Sequence, residues 1–280
     1  MFKITEKRFL NQNVVYMSVE APFVAAKAEA GQFIMIRCDD KGERIPLTIA
    51  DFDRENGTVS IIFQTVGFTT TRLSTLEAGD FVADFVGPLG KPTELGNPKK
   101  AIVIGGGVGC AIAYSEVKAL YKMGVDTTVI AGFRNKDMVI LEEEMKKVSN
   151  NLYITTDDGS YARRGLVTEV LKELLEKEAY DLVIAIGPIP MMKFVSLTTK
   201  PYKVKTIVSL NPIMIDGTGM CGGCRVTVGG EIKFACVDGP DFDGHLVDFD
   251  NLMKRNSFYK EQEQRAAEHK CRLFGGVHNG

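Results

Sequence analysis

The 280-residue sequence has no window of about eighteen uninterrupted apolar residues, which excludes a transmembrane helix. Its opening, MFKITEKRFLNQN, lacks the apolar core of a secretory leader. There is no basic run and the net charge is only −2, so nothing in the totals attracts nucleic acid or an anionic membrane. Tryptophan, low-complexity tracts and internal repeats are all missing. The three histidines, His245, His269 and His278, show no metal spacing. These absences point to the cytoplasm, where six cysteines serve as metal ligands, reactive thiols or packing rather than as a disulfide framework. Apolar and charged contents of 45% and 25% are ordinary for a globular protein, and the length suits two or three domains.

Residues 1–98 read as short alternating strands (VVYMSVEAP, GQFIMIRC, RIPLTIADF, TVSIIFQTVG, DFVADFVGPLG) separated by turn signals such as Glu55-Asn56-Gly57. Strands so closely spaced suggest a small antiparallel β-barrel, interrupted by one helix over TTTRLSTLEAG. From residue 99 the character changes. AIVIGGGVG is an apolar strand running into glycines, AIAYSEVKALYKMG has helical spacing, and strand and helix alternate to about residue 208. That pattern predicts a doubly wound parallel α/β domain over 99–208. Residues 209–250 become loop-rich around three cysteines, and 251–280 read as a polar helix and tail.

Gly105, Gly106, Gly107 and Gly109 stand between a buried strand and a helix. There the backbone can approach a pyrophosphate and the helix N-terminus offers N–H donors. A tight turn would explain the glycines alone. However, TDDGS, with Asp158 and Gly159, and GPIPMM, with Gly187 and Met191, also follow strands directly. Ligands of open α/β sheets bind outside the carboxyl ends of strands, so the three loops should converge on one crevice. No acidic residue follows the second strand, which continues with Phe133 and Arg134, unlike a simple Rossmann dehydrogenase.

The segment IDGTGMCGGCR holds Cys221 and Cys224 as C-x2-C, and Cys236 follows. Plant-type [2Fe–2S] sites read C-x4-C-x2-C…C, and counting back four residues from Cys221 reaches Asp216. The run is D-x4-C-x2-C-x11-C, a ferredoxin-type set with aspartate in the first thiolate position. Zinc held by three cysteines and a carboxylate competes, although structural zinc usually pairs two C-x2-C knuckles or adds histidine. In the barrel, RIPLTI and QTVGFTTTRL carry an arginine and threonines that could meet phosphates, or simply make turns.

Taken together, the R-x-P-x-[ST] strand, the GPLG turn, GGGVG with TDDGS and GP-x-x-MM, and the final cysteine loop resemble the ferredoxin reductase superfamily. The order with the cluster last is similar to the electron-transfer subunit of dihydroorotate dehydrogenase. The aspartate ligand position and SLNPIMIDGTGMCGGCRV most resemble a sister family, the small subunits of NADH-dependent reduced ferredoxin:NADP+ oxidoreductase. The resemblance implies FAD on the barrel, with Pro46, Leu47 and Thr48 along the isoalloxazine ring and Ile62, Phe63 and Gln64 beside it. Arg44, Gly67, Thr69 and Thr70 are implied at its phosphates. It departs from the superfamily in placing arginine at 44 rather than 45 and in reading Thr69-Thr70 where Gly-Thr is usual. It further implies NAD(H) at the glycine loop and a [2Fe–2S] cluster on Asp216, Cys221, Cys224 and Cys236. Hydride would pass between NAD(H) and FAD, and single electrons between FAD and the cluster, with no side chain acting as catalyst. The partner so implied is a larger flavin and [4Fe–4S] subunit that handles ferredoxin and NADP(H) in electron bifurcation, forming a heterodimer. A dihydroorotate dehydrogenase partner and a zinc-stabilised nucleotide-binding regulator are the competing readings. Cys38, Cys110 and Cys271 are expected to pack, Asp241 and Asp243 to form an acidic turn, and LEEEMKK to be a solvated helix face.

Overall fold

The computed structural model describes residues 1–258. Its first sheet comprises β1 (Phe2–Asn11), β2 (Val14–Glu20), β3 (Phe33–Arg37), β4 (Ile45–Asp53), β5 (Thr58–Gln64), β6 (Phe81–Val82) and β7 (Asp84–Leu89). All pairings are antiparallel, in the order β6-β1-β2-β5-β4-β3-β7. The two edge strands are consecutive in the chain, with Ala83 alone between them, so the sheet curls into a nearly closed barrel. Two short helices, α1 (Pro22–Ala25) and α2 (Phe68–Leu73), accompany it. The period of two sorts β5 cleanly: Ile61 and Phe63 fill the barrel core, while Ile62 and Gln64 face outward. The sequence gives little sign of β1, because charged residues occupy its solvent side and only Ile4 is fully enclosed.

The second part contains β8 (Lys100–Gly106), β9 (Asp126–Phe133), β10 (Asn151–Thr156), β11 (Arg163–Arg164), β12 (Leu182–Ile186), β13 (Lys205–Ser209), β14 (Arg225–Val228), β15 (Glu231–Phe234) and β16 (Asp241–Asp243). Interleaved with them are α3 (Gly109–Lys122), α4 (Glu142–Lys147), α5 (Val167–Lys177), α6 (Ile189–Thr199), α7 (Ala235–Asp238) and finally α8 (Phe249–Asn256). The sheet order is β11-β10-β9-β8-β12-β13-β16, parallel except for β16. Chain direction along the sheet reverses between β8 and β12, which opens a crevice at their carboxyl ends. Gly124, at φ 74°, ends α3 where the sequence places the stop.

The cysteine region is more ordered than a loop. It contains the hairpin β14-β15, helix α7 and strand β16, which returns to β13. Asp241 and Asp243 therefore bound a strand and not an acidic turn. The boundary expected after residue 208 falls inside β13. Three apolar clusters hold the parts together. One fills the barrel, with Cys38 inside it. A second joins α3 to Val14, Ala50 and Ile62 of the barrel. The third packs Phe33 and Met35 of β3 with Cys224, Val226, Cys236 and Leu252, and so ties the barrel to the cysteine segment. Of the tail expected over 251–280, α8 covers the start; Cys271, His269 and His278 lie outside the described residues.

Candidate redox cofactor sites

The crevice at the switch point is a cleft of about 930 Å³, within the size range of small-ligand sites. Register pairs Ile186 with Gly105, so the glycine loop and Gly187 emerge side by side. At Gly109 a Cβ would come within 2.4 Å of the Ile186 carbonyl oxygen and 2.9 Å of Gly187 Cα. The absence of a side chain is what lets the start of α3 reach β12. Gly107, at φ 57°, has no atom of the described residues within 4 Å of a Cβ position and leaves its backbone open to the cleft. Cys110 is wholly buried and burial pushes its thiol up to about 12, so it packs and does not react.

Of the residues expected at the nucleotide, Gly106, Gly107, Gly109, Gly187 and Met191 line this cleft, and so does Gln64 from the barrel. Gly105 is buried in β8, where a Cβ would strike Cys110 Cα at 2.7 Å. Asp158 sits elsewhere: its Oδ1 accepts from the Ser160 N–H at 2.9 Å in an exposed turn that also holds Gly159. The neighbouring Asp157 lines the cleft instead, together with Asn11, Val66, Arg134 and Ser209. Sequence reasoning missed Asp157 because adjacent aspartates are indistinguishable until the strand end is fixed. Asn11 was hidden with β1.

On the barrel, Pro46, Leu47 and Thr48 lie half-buried along β4, register-paired with Met35, Ile34 and Phe33, beside the buried Ile49 and Ala50. Val66 and Val86 are 77% and 48% exposed, leaving apolar barrel surface that a flat ring system would cover. Phe63 turns its ring into the barrel core, so only its backbone can meet a ligand there. Ile62 is buried against the α3 side. At the start of α2, Thr70 Oγ1 accepts from the Gly67 N–H at 3.0 Å and the Val66 N–H at 3.1 Å; Thr69 is buried. Arg44 does not stand free: its Nη2 is 2.7 Å from Asp84 Oδ2, and Arg37 Nε holds the same oxygen at 2.8 Å. Hydrogen bonds from Arg37 and then Arg44 hold the Asp84 carboxyl below its ordinary range.

The cysteine loop turns through Gly217, Gly219 and Gly222, all at φ between 66° and 82°. Cys224 and Cys236 are buried with their sulfurs 3.2 Å apart. Backbone N–H groups point at sulfur: Gly223 to Cys221 Sγ at 3.4 Å and Cys236 to Cys224 Sγ at 3.5 Å. Burial, and then the adjoining Cys224, push the Cys236 thiol up to about 12. A thiol so raised ionises only against cationic metal, and N–H donors at sulfur are a cluster's usual support. Asp216 closes the loop, its Oδ1 accepting from Thr218 N–H at 2.8 Å and its Oδ2 from Cys221 N–H at 3.2 Å. These bonds hold its carboxyl low, with Thr218 the largest cause. Among the described residues no three metal-ligating side chains already converge on one point. The four residues share one loop and its packing partner, and the sulfur pair fits a cluster.

Residues 103–197 match the oxidoreductase NAD-binding domain family, and residues 211–248 match the iron–sulfur cluster binding domain of dihydroorotate dehydrogenase B. A barrel, an NAD-binding sheet and an iron–sulfur segment in this order define a ferredoxin-reductase-type oxidoreductase subunit. A dihydroorotate dehydrogenase B (NAD+) electron transfer subunit homolog from Thermotoga maritima is 45% identical, over 98% of this chain and 96% of its own length. A Clostridium beijerinckii protein from the adh 3′ region is 54% identical, over 95% and 93%. Among solved structures, a chain of an NADH-dependent reduced ferredoxin–NADP oxidoreductase, described for flavin-based electron bifurcation, is 45% identical with a TM-score of 0.90, covering 96% of this chain and 97% of that one. The chain belongs to the family of dihydroorotate dehydrogenase B-type electron-transfer subunits.

Proposed function

We propose that the protein is the small electron-transfer subunit of an electron-bifurcating NADH-dependent ferredoxin:NADP+ oxidoreductase, working in the cytoplasm. The observation that carries the reading is the shared cleft: Gln64 and Val66 of the barrel face the glycine loop and Met191 across one cavity. When bound, FAD would exchange a hydride with NAD(H) and single electrons with a [2Fe–2S] cluster, so the cofactors supply the chemistry. The chain's own residues bind and orient. The first turn of α3 offers N–H donors to a pyrophosphate, and Gly109 lets it sit against β12. Asp157 offers ribose hydroxyls an acceptor. Pro46, Leu47 and Thr48 present the barrel strip to the flavin ring, while Arg44, Gly67, Thr69 and Thr70 serve its phosphates. Asp216, Cys221, Cys224 and Cys236 hold the cluster, the carboxylate giving one iron a harder donor.

The partner inferred is a larger flavin and [4Fe–4S] subunit that meets ferredoxin and NADP(H). No helix among the described residues is long and apolar enough to cross a membrane. A dihydroorotate dehydrogenase partner is the second reading, favoured by the iron–sulfur family match over 211–248. Isolation of the complex from its native cells separates the two: a [4Fe–4S] flavoprotein subunit supports the first and a pyrimidine-forming flavoprotein the second. Protein that carries zinc and neither flavin nor iron would refute both.

A further inference from the structure

Where the barrel, α3 and β16 meet lies a polar group that the redox path does not use. Glu116, in the middle of α3, is 0% exposed. Its Oε1 is 2.7 Å from Thr93 Oγ1, and the same hydroxyl is 2.5 Å from Asp241 Oδ2 on β16. Thr93 is fixed by its backbone N–H, which donates to Ala30 O at 3.0 Å, and by a close approach to Gly31, where a Cβ would stand 2.0 Å from its hydroxyl. Glu116 Oε2 and Asp241 Oδ1 are sealed from solvent and have no hydrogen-bond partner among the described residues. Asp241 is half-buried as a residue, but that oxygen is not part of the exposed fraction.

A threonine hydroxyl carries one hydrogen. Two contacts of this length to two carboxyl groups need a second hydrogen, which one of the carboxyls must carry. Among the described residues, the groups facing the pair are Thr93 from the connection before β8, Ser209 from β13 and each carboxyl itself, and no lysine, arginine or histidine acts on either. Burial therefore raises both, Glu116 to about 8 and Asp241 to about 6, and they titrate as one unit. Ser209 continues the chain outward. It is the register partner of Asp241, its hydroxyl favours the charged form of that carboxyl, and it lines the cleft.

We propose that Ser209, Asp241, Thr93 and Glu116 form a proton store that opens on the cofactor cleft and takes up the proton left there when a hydride is passed on as single electrons. The proposal rests on the electron-transfer reading. A hydride carries two electrons and one proton; the electrons leave one at a time toward the cluster, and the proton stays behind. Ser209 accepts that proton on its oxygen as its own O–H hydrogen turns to, and passes onto, Asp241 Oδ1, the carboxyl oxygen with no hydrogen-bond partner among the described residues. The Asp241–Glu116 pair thereby goes from one bound proton to two, with Thr93 bridging them, and the reverse electron flow returns it.

The sign of the linkage follows from the raised values. The folded state holds a proton that the unfolded chain has lost, so this stability is fully present below about pH 4 and disappears as pH rises through about 8. The folding equilibrium should weaken by up to about a hundredfold per pH unit between about pH 5 and 6, where the folded state holds two extra protons, and by up to about tenfold per unit between about pH 6 and 8, where it holds one. Infrared difference spectroscopy tests the store in two stages. In the protein without nucleotide at pH 7, a deuterium-sensitive protonated carboxyl band is expected, lost in Glu116→Gln and shifted in frequency in Asp241→Asn, and Glu116→Gln should flatten the pH slope of unfolding. Absence of that band overturns the proposal whatever NADH does. On NADH reduction the wild-type carboxyl band should grow, and Ser209→Ala should slow that growth about tenfold or more while the resting band stays. Full cluster reduction with no growth in the wild type also overturns it. If NADH reduces nothing while the resting band titrates as stated, it is the electron-transfer reading that fails, and the uptake step falls with it.

Discussion

The nucleotide cleft and the cysteine loop are both rich in glycine, and they use it in opposite ways. In the cleft, Gly109 removes bulk so that α3 can lie against the Ile186 carbonyl, and the cavity is already formed by the packing of the sheet, its helices and the barrel. In the cysteine loop, Gly217, Gly219 and Gly222 supply backbone turns at positive φ, and the side chains they carry past one another are only partly assembled. A site made by sheet packing is preorganised for its ligand. A site made by a turning loop gains its final geometry from the metal, and its binding free energy becomes folding free energy of that segment.

That contrast can be broken at either end. The largest effect is expected from Cys224→Ser or Cys236→Ser, which leave the buried sulfur pair with one member. Iron content by metal analysis should fall about tenfold or more, while NADH binding to the cleft stays within about twofold of wild type. Gly109→Val attacks the other end. The clash with Ile186 should cost about 3 kcal/mol or more of stability in denaturant unfolding and abolish measurable nucleotide binding. Asp216→Ala removes the acceptor for the Thr218 and Cys221 N–H groups and, on the proposed ligand set, the carboxylate donor to iron. The visible and EPR signals of the cluster should be lost or decay within hours, with flavin still bound. Normal cluster content in that variant would refute the ligand assignment. The smallest effect is expected from Asp157→Ser. With the carboxylate gone and Arg134 still lining the cleft, the ratio of NADH to NADPH affinity should fall several-fold in fluorescence titrations.

Much of this was legible in the sequence. The barrel, the alternation from residue 99, the glycine loop and the cysteine set all follow from local pattern, because strand period, turn chemistry and ligand spacing are read over short windows. What escaped is non-local. β1 has only one fully enclosed residue, Ile4, and a charged outer row, so its alternation is weak until β2 and β6 flank it. Asp158 looked the equal of Asp157 because only the end of β10 at Thr156 decides which carboxylate faces the cleft. That Asp84, forty residues on, pairs with Arg44 is equally invisible to local pattern. Asp241 read as a turn residue because its partners Thr93 and Glu116 are distant in the chain and meet it only when β16 closes on β13.

An anaerobic titration of the purified protein with NADH, followed by absorption and EPR, tests the central claim most directly. One flavin and two irons per chain are expected, with NADH bleaching the flavin band and raising the EPR signal of a reduced [2Fe–2S] cluster in the same molecules. Protein that binds NADH yet carries no flavin, or a fully loaded cluster that NADH cannot reduce through it, would contradict the account.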